Sequence, residues 1–393
     1  MKSGQDNKSG LNRRDFLKIG LAGTASAMLS GSVISEAAQY YAAAEPFVFP
    51  NPVFKTLGRT GMKITVVSFG AMLTPEPEVI KIAFDNGVNY VDTARRYMGG
   101  KNEEIVGKAL KGRRDKIFVA TKTQPTSRTK EDIFKDVETS LKALQTDYVD
   151  VIQLHNLTDK ERVFIPETRE ALLKLREQGK VRFFGVTTHT KQAEVVNALV
   201  DDKDRFFDTA LVKFNFQSDK ELLDAVARAA AANIGIIAMK TQMGGYTTEA
   251  MGKISPHQAA LKWALQNRNI TAAIPGMRNI SELKEDIAVM GMSFSYADER
   301  ILKQYSASVR SYYCDLCGKC EGTCPLGVQI STVNRSLMYA EGYKNGELAL
   351  STYREIPVSA SATACLDCSA CVAKCVNGLD IASKMDRARK ILA

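Results

Sequence analysis

The sequence predicts an α/β protein, a parallel (β/α)8 barrel followed by a smaller, mainly α-helical domain. Between Phe47 and about Tyr296, eight short apolar runs alternate with amphipathic helical stretches. That span, roughly 250 residues, is the usual size of such a barrel. All eight cysteines of the 393-residue chain lie from Cys314 onward, so the composition changes where the alternation stops.

The apolar runs are 64–70, 89–92, 117–121, 149–154, 182–186, 210–212, 234–238 and 272–275. Helical stretches separate them, for example 78–86, 102–110, 129–144 and 168–178. Gly87 and Gly179 follow two of these helices and Asn233 precedes the seventh strand, as helix stops should. Residues around 298–309 read as a helix joining the two domains. No low-complexity linker lies there, so the domains are expected to dock. The divisions are 1–44, 45–296 and 297–393.

Residues 1–44 read as a leader. Asn12-Arg13-Arg14-Asp15-Phe16-Leu17-Lys18 matches the twin-arginine export signal. An uncharged, moderately apolar stretch at 19–35 follows, short for a membrane span. Ala42-Ala43-Ala44 offers small residues for cleavage before Glu45, and Ser35-Glu36-Ala37 is a second candidate. An uncleaved anchor is the alternative. The expected location is periplasmic or extracytoplasmic, with the membrane met only during export. The formal charge of +9 is not gathered into a patch, so nucleic acid is not an expected partner.

Cys314, Cys317, Cys320 and Cys324 read C-x2-C-x2-C-x3-C-P, and Cys365, Cys368, Cys371 and Cys375 repeat the spacing but end in Val376. Three thiolates at this spacing wrap three corners of an iron–sulfur cube, and the fourth points elsewhere. Two 4Fe-4S clusters and single-electron transfer follow. A disulfide scaffold is normally small, whereas this chain can bury a large core without staples. Zinc prefers separated cysteine pairs, and remains the alternative. The link between the runs, from Gln329 to about Arg354, reads largely helical, with apolar Ile330, Val333, Leu337, Ala340 and Leu348. Folded export suits a protein loaded with clusters in the cytoplasm.

Barrel chemistry sits where strands end. Asp92 ends the second strand and Tyr97 follows it; Lys122 ends the third, and His155 the fourth. His189 follows the fifth strand and reads as either a substrate contact or structural, and His257 as structural. Gly87-Val88-Asn89-Tyr90-Val91-Asp92-Thr93-Ala94 with Tyr97 resembles the most diagnostic run of the aldo-keto reductase superfamily. Phe54-Lys55-Thr56-Leu57-Gly58-Arg59-Thr60-Gly61 is similar to its opening hairpin. Gly179-Lys180-Val181-Arg182 and Gly185-Val186-Thr187 resemble its fifth strand and lead-in.

The resemblance implies that Asp92, Tyr97, Lys122 and His155 form a catalytic tetrad acting on a small carbonyl or alcohol. Tyr97 would protonate the carbonyl oxygen as hydride arrives. Lys122, fixed by Asp92, would lower the phenol's pKa, and His155 would orient the carbonyl. It also implies a nicotinamide nucleotide, NADP or NAD, without choosing between them. Thr187 and Thr188 stand where an Asn or Ser pair usually holds the carboxamide, and Leu211 where a glutamine is usual. Met239 and Lys240 replace the usual stacking aromatic, as in the ferredoxin-bearing branch. Ile274-Pro275-Gly276-Met277-Arg278 resembles the phosphate loop, and Glu282, Glu285 and Asp286 match the ribose and adenine end. A carboxylate at 282 disfavours a 2′-phosphate.

The cysteine spacing is similar to the α-helical ferredoxin type. That likeness implies crossed ligation: Cys314, Cys317 and Cys320 with Cys375, and Cys365, Cys368 and Cys371 with Cys324. The leading expectation is an exported oxidoreductase coupled to electron transfer, with a redox protein as a further partner. The rivals are an electron-transfer or docking protein whose barrel no longer binds nicotinamide, and clusters with a purely structural role.

Overall fold

The computed structural model describes residues 49–245 and 255–393, so the leader motif and both cleavage candidates lie outside the described residues. Two strands, β1 (Phe54–Thr56) and β2 (Lys63–Thr65), form an antiparallel hairpin. Eight parallel strands follow: β3 (Phe69–Gly70), β4 (Tyr90–Asp92), β5 (Phe118–Lys122), β6 (Val149–Leu154), β7 (Val181–Thr188), β8 (Thr209–Lys213), β9 (Gly235–Met239) and β10 (Ala272–Ala273). They pair in sequence order. Bridges from Val67 to Ala273 and from Gly70 to Gly276 bring the first strand against the last, so the sheet curls into a ring. Gly70 is required at that seam, because a Cβ there would lie 2.6 Å from the Ile274 carbonyl oxygen.

The predicted first run, 64–70, is two elements. Its start belongs to the hairpin, and Ser68 Oγ turns back to donate to the Thr65 carbonyl at 2.6 Å. That turn interrupts the strand before β3 begins. Leu57, Met62 and Ile64 of the hairpin region pack into one end of the ring with Tyr90, Ala120, Val151, Leu211 and Ile237.

Between and after the strands run α1 (Pro77–Asp85), α2 (Lys101–Leu110), α3 (Lys130–Leu144), α4 (Pro166–Glu177), α5 (Gln192–Asp201), α6 (Lys220–Ala231), α7 (Pro256–Gln266) and α8 (Ile280–Ile287). Their starts follow local chemistry. Thr129 and Asp132 form a reciprocal capping box on α3, and Pro begins α1, α4 and α7.

The joining helix, α9 (Tyr296–Val309), packs Ile301 and Leu302 on Ala259 and Ala260 of α7. Its Tyr305 and Val309 enter the core of the C-terminal region, so one helix serves both hydrophobic clusters. That core is built on α10 (Ile330–Glu341), α11 (Gly346–Tyr353) and α12 (Ile381–Leu392). The single predicted helical link is thus two helices. They break at Gly342, and Asn345 caps α11 by accepting from Leu348 N. No described helix is long and apolar enough to cross a membrane.

Candidate active site between barrel and cysteine-rich domain

Strand alternation builds the site. Tyr90, Ala120, Val151, Leu211 and Ile237 fill the barrel interior. Two residues on, the same inward register reaches Asp92, Lys122, Gln153, Lys213 and Met239. The layer above the apolar core is therefore polar and charged.

Lys122 Nζ donates to Asp92 Oδ1 and, at 2.7 Å, to the Thr93 carbonyl. Gln153 Nε2 donates to Asp92 Oδ2 at 2.8 Å. Both oxygens of the buried carboxylate are thus bonded. Burial pushes Asp92 up and Lys122 down, each opposed by the other's charge. Gln153 went unnoticed in the sequence because it reads as an ordinary strand residue. Its inward register beside Lys122 is the signal that could have found it.

Tyr97 opens a tight turn in which Met98, Gly99 and Gly100 all take positive φ, 52°, 63° and 98°. Its ring meets His155 edge to face with centroids 6.0 Å apart, and Lys122 Nζ lies 4.8 Å from the Tyr97 ring centroid. The expectation that Lys122 lowers the Tyr97 pKa needs correction. Burial, then Asp92 and Tyr339, raise it well above its ordinary value, and Arg96 and Arg335 oppose them. The lysine proton is directed at Asp92 and a carbonyl, so Tyr97 is held as a protonated phenol. His155 is held neutral by burial and by the neighbouring cations Lys122, Arg96 and Arg335. Its Nδ1 is buried and has no partner among the described residues.

One cavity joins Asp92, Tyr97 and His155 to the segment after β10. Part of its wall comes from the cysteine-rich domain. Arg335, Tyr339 and Gly342 stand at i, i+4 and i+7 on one face of α10, and all three line the cavity. Arg335 Nη1 donates to Asn156 Oδ1 at 3.1 Å and lies 3.3 Å from His189 Nδ1. Lys240 Nζ donates to Tyr339 OH at 2.9 Å. The Tyr97 turn is tied to the same domain, because Arg96 pairs with Glu355 and donates to the Ser351 carbonyl at 3.3 Å. Sequence reading missed Arg335 and Tyr339. The signal available was a polar stripe on an otherwise apolar helix.

The predicted carboxamide contacts, Thr187 and Thr188, are not among the residues lining this cavity. Thr187 pairs with inward-facing Leu211, and Thr188 takes the opposite face of the strand. Thr187 Oγ1 accepts from Asn156 N at 2.8 Å, and Thr188 Oγ1 donates to the Leu157 and Thr190 carbonyls, each at 2.8 Å. Leu211, Met239, Lys240 and Gly276 do line it, and so does His257, which the sequence left as structural. At the far end Arg278 is held by Glu282, with Nε to Oε1 at 2.8 Å and its backbone N–H to Oε2 at 2.7 Å. Glu285 accepts from Ser255 Oγ, and Asp286 from Gln242 Nε2 at 2.6 Å. Burial pushes Asp286 well up, with Glu285 adding to it.

The cysteines lie close to the barrel. Lys213 Nζ donates to the Asp315 carbonyl at 2.5 Å, and Asn215 Nδ2 to Tyr313 OH at 3.1 Å. Backbone N–H groups of Leu316 and Asn377 point at Cys314 and Cys375 sulfurs, each at 3.4 Å. Cys320 is influenced by Cys317 and Cys375, and Cys365 by Cys324, Cys368 and Cys371. Cys375 of the second run thus lies near the first, and Cys324 near the second. The donor set, eight thiols in two runs of four, fits clusters.

Comparisons with known proteins agree with this architecture. Residues 75–253 match the aldo/keto reductase family and residues 313–379 the 4Fe-4S dicluster domain. L-galactose dehydrogenase of Arabidopsis thaliana is 27% identical over 60% of this chain and 87% of its own length. Methylglyoxal reductase YeaE of Escherichia coli is 26% identical over 59% of this chain and 85% of its own. The crystal structure of the thermostable aldo-keto reductase Tm1743 with the inhibitor epalrestat superposes with a TM-score of 0.55 at 26% identity, covering 64% of this chain and 99% of that one. The chain is therefore an oxidoreductase that carries an aldo/keto reductase domain followed by a 4Fe-4S dicluster domain.

Proposed function

We propose that this protein interconverts a small carbonyl compound and its alcohol at the barrel mouth, in exchange with two iron–sulfur clusters. The supporting observation is Tyr97, a half-buried, protonated phenol beside neutral His155 and the Lys122–Asp92 pair. Tyr97 donates its proton to the carbonyl oxygen. Arg96 and Arg335 favour the phenolate left behind. His155, which carries no charge, hydrogen-bonds the same oxygen and orients it. A phenol is protonated at neutral pH, so Tyr97 begins the reductive direction with its proton in place.

The far end of the cavity fits a nucleotide with free ribose hydroxyls better than one with a 2′-phosphate, because Glu282, Glu285 and Asp286 line it and Arg278 is already paired. Asn156 and Gln242 are amides that line the cavity and could meet a carboxamide. A bound nicotinamide supplies hydride to the carbonyl carbon.

Cys314, Cys317, Cys320 and Cys375 would hold one cluster, and Cys365, Cys368, Cys371 and Cys324 the other; each cluster, when bound, exchanges one electron. Exposed Leu366, Val372 and Val376 lie within the second run, where a redox partner would approach. The leader motif supports export before use, which cell fractionation of a variant with Arg13→Lys and Arg14→Lys tests directly. Retention of that variant in the cytoplasm is the expected result.

Turnover of small aldehydes with NADH, in the cluster-loaded chain and in Tyr97→Phe, tests the carbonyl chemistry. Unchanged rates in Tyr97→Phe would sink it. The second reading, a docking or electron-transfer protein, rests on the two threonines, which do not line the cavity. It requires that neither nucleotide binds.

A further inference from the structure

We propose that the cysteine-rich domain completes the active site by supplying an anion-binding subsite, and that the substrate is therefore an oxo or hydroxy acid bearing a carboxylate. This rests on the carbonyl chemistry proposed above and names its substrate class.

Charge is unbalanced at the tetrad end of the cavity. Lys122, Arg96, Lys240 and Arg335 all lie in or beside the tetrad end of the cavity. Lys122, Lys240 and Arg335 are buried, at 1%, 9% and 5% exposure. Two carboxylates answer these four cations. Asp92 is taken by Lys122, and Glu355 is shared between Arg96 and Arg335. Lys240 pairs with no carboxylate among the described residues; its partner is the Tyr339 hydroxyl. His155 and His189 add no compensating charge. Two positive charges are left over at this end of the cavity.

Uncompensated buried charge is costly, and is retained where an anion arrives to meet it. Arg335 is already oriented for that role. Its Nη1 is fixed by Asn156 and its Nη2 by Glu355, while buried Nε has no partner among the described residues. Local helix geometry places Arg335 and Tyr339 on the same face, so α10 delivers the fork and the lysine's partner together. The opposite end of the cavity is acidic, with Glu282, Glu285 and Asp286. An anionic substrate is thereby drawn to the tetrad end. Of the anions that fit this chemistry, a carboxylate on the carbonyl-bearing molecule places its charge on Arg335 and Lys240 and leaves the carbonyl to Tyr97 and His155.

The test uses oxamate and its uncharged ethyl ester as probes on the full cluster-loaded chain, with binding measured calorimetrically. Charge-assisted hydrogen bonds of this kind are worth about tenfold or more in affinity. Oxamate should bind more tightly than the ester by that factor. Arg335→Ala should erase the difference, and Arg335→Lys should keep part of it. Iron content and thermal melting establish that each variant is folded, and the acid-to-ester comparison needs no variant. Equal affinity for acid and ester would overturn the proposal. So would binding of inorganic phosphate or ADP at this end without oxamate, which would assign the cations to a phosphoryl group. Tyr97→Phe should retain oxamate binding, so failure of the carbonyl chemistry and failure of the anion subsite give different results.

Discussion

Lys240, at the end of a barrel strand, donates a hydrogen bond to the hydroxyl of Tyr339, on the first long helix of the cysteine-rich domain, at 2.9 Å. Both side chains are buried, and the lysine also lies 4.6 Å from the tyrosine ring centroid. Burial opposes ionisation of Tyr339, but Lys240, Arg335 and Arg96 together hold its pKa below the ordinary value. Tyr97 in the same cavity is pushed the opposite way. Two phenols with divided pKa values meet at the interface, and the C-terminal domain forms a wall of the active site.

Tyr97→Phe should lower the rate of carbonyl reduction by about 10²–10⁴-fold, the usual contribution of a positioned acid. The ring and its packing on His155 remain, so the melting temperature should scarcely move. Steady-state kinetics beside thermal unfolding checks both expectations.

Lys122→Met should destabilise the fold by about 3–5 kcal/mol, because it strands a buried Asp92. Asp92→Asn together with Lys122→Met should recover much of that loss. Urea unfolding of the single and double variants measures the coupling.

Stability should fall as pH drops below about 6.5, the ordinary histidine value. Burial and nearby cations depress the folded-state pKa of His155 and His189, so below 6.5 the unfolded chain binds protons that the folded chain refuses. The stabilisation is fully present above the unfolded value and is lost as pH falls toward the folded one. Melting temperatures between pH 5 and pH 7 should show the decline, and His189→Gln should flatten it.

Gly342→Ala should loosen the docking of the two domains. A Cβ at this position would lie 2.3 Å from the Gly244 carbonyl oxygen, across the seam. Overpacking of this kind costs about 1–3 kcal/mol. Hydrogen exchange should show the helix 330–341 opening more readily, with the barrel strands unchanged.

The sequence made the barrel readable because its apolar runs and helical stretches keep strict order, and most strand positions agree within a residue or two. Asp92, Lys122 and His155 could be placed because period-2 alternation and strand ends define the mouth. Gln153, Lys213, Arg335 and Tyr339 were not legible. Their importance depends on which domain surface lies opposite, and local pattern carries no such information. The Tyr97 pKa depends in part on Tyr339 of α10, which comes over two hundred residues later.

The most direct measurement is an anaerobic titration of the cluster-loaded protein with NADH and then NADPH. Nicotinamide absorbance and cluster bleaching are followed together, with a carboxylate-bearing oxo acid added last. The account predicts binding with preference for NADH, bleaching of the clusters, and recovery of their colour when the oxo acid is reduced. Failure of both nucleotides to bind would contradict it, and would leave the barrel as a docking surface for an iron–sulfur protein.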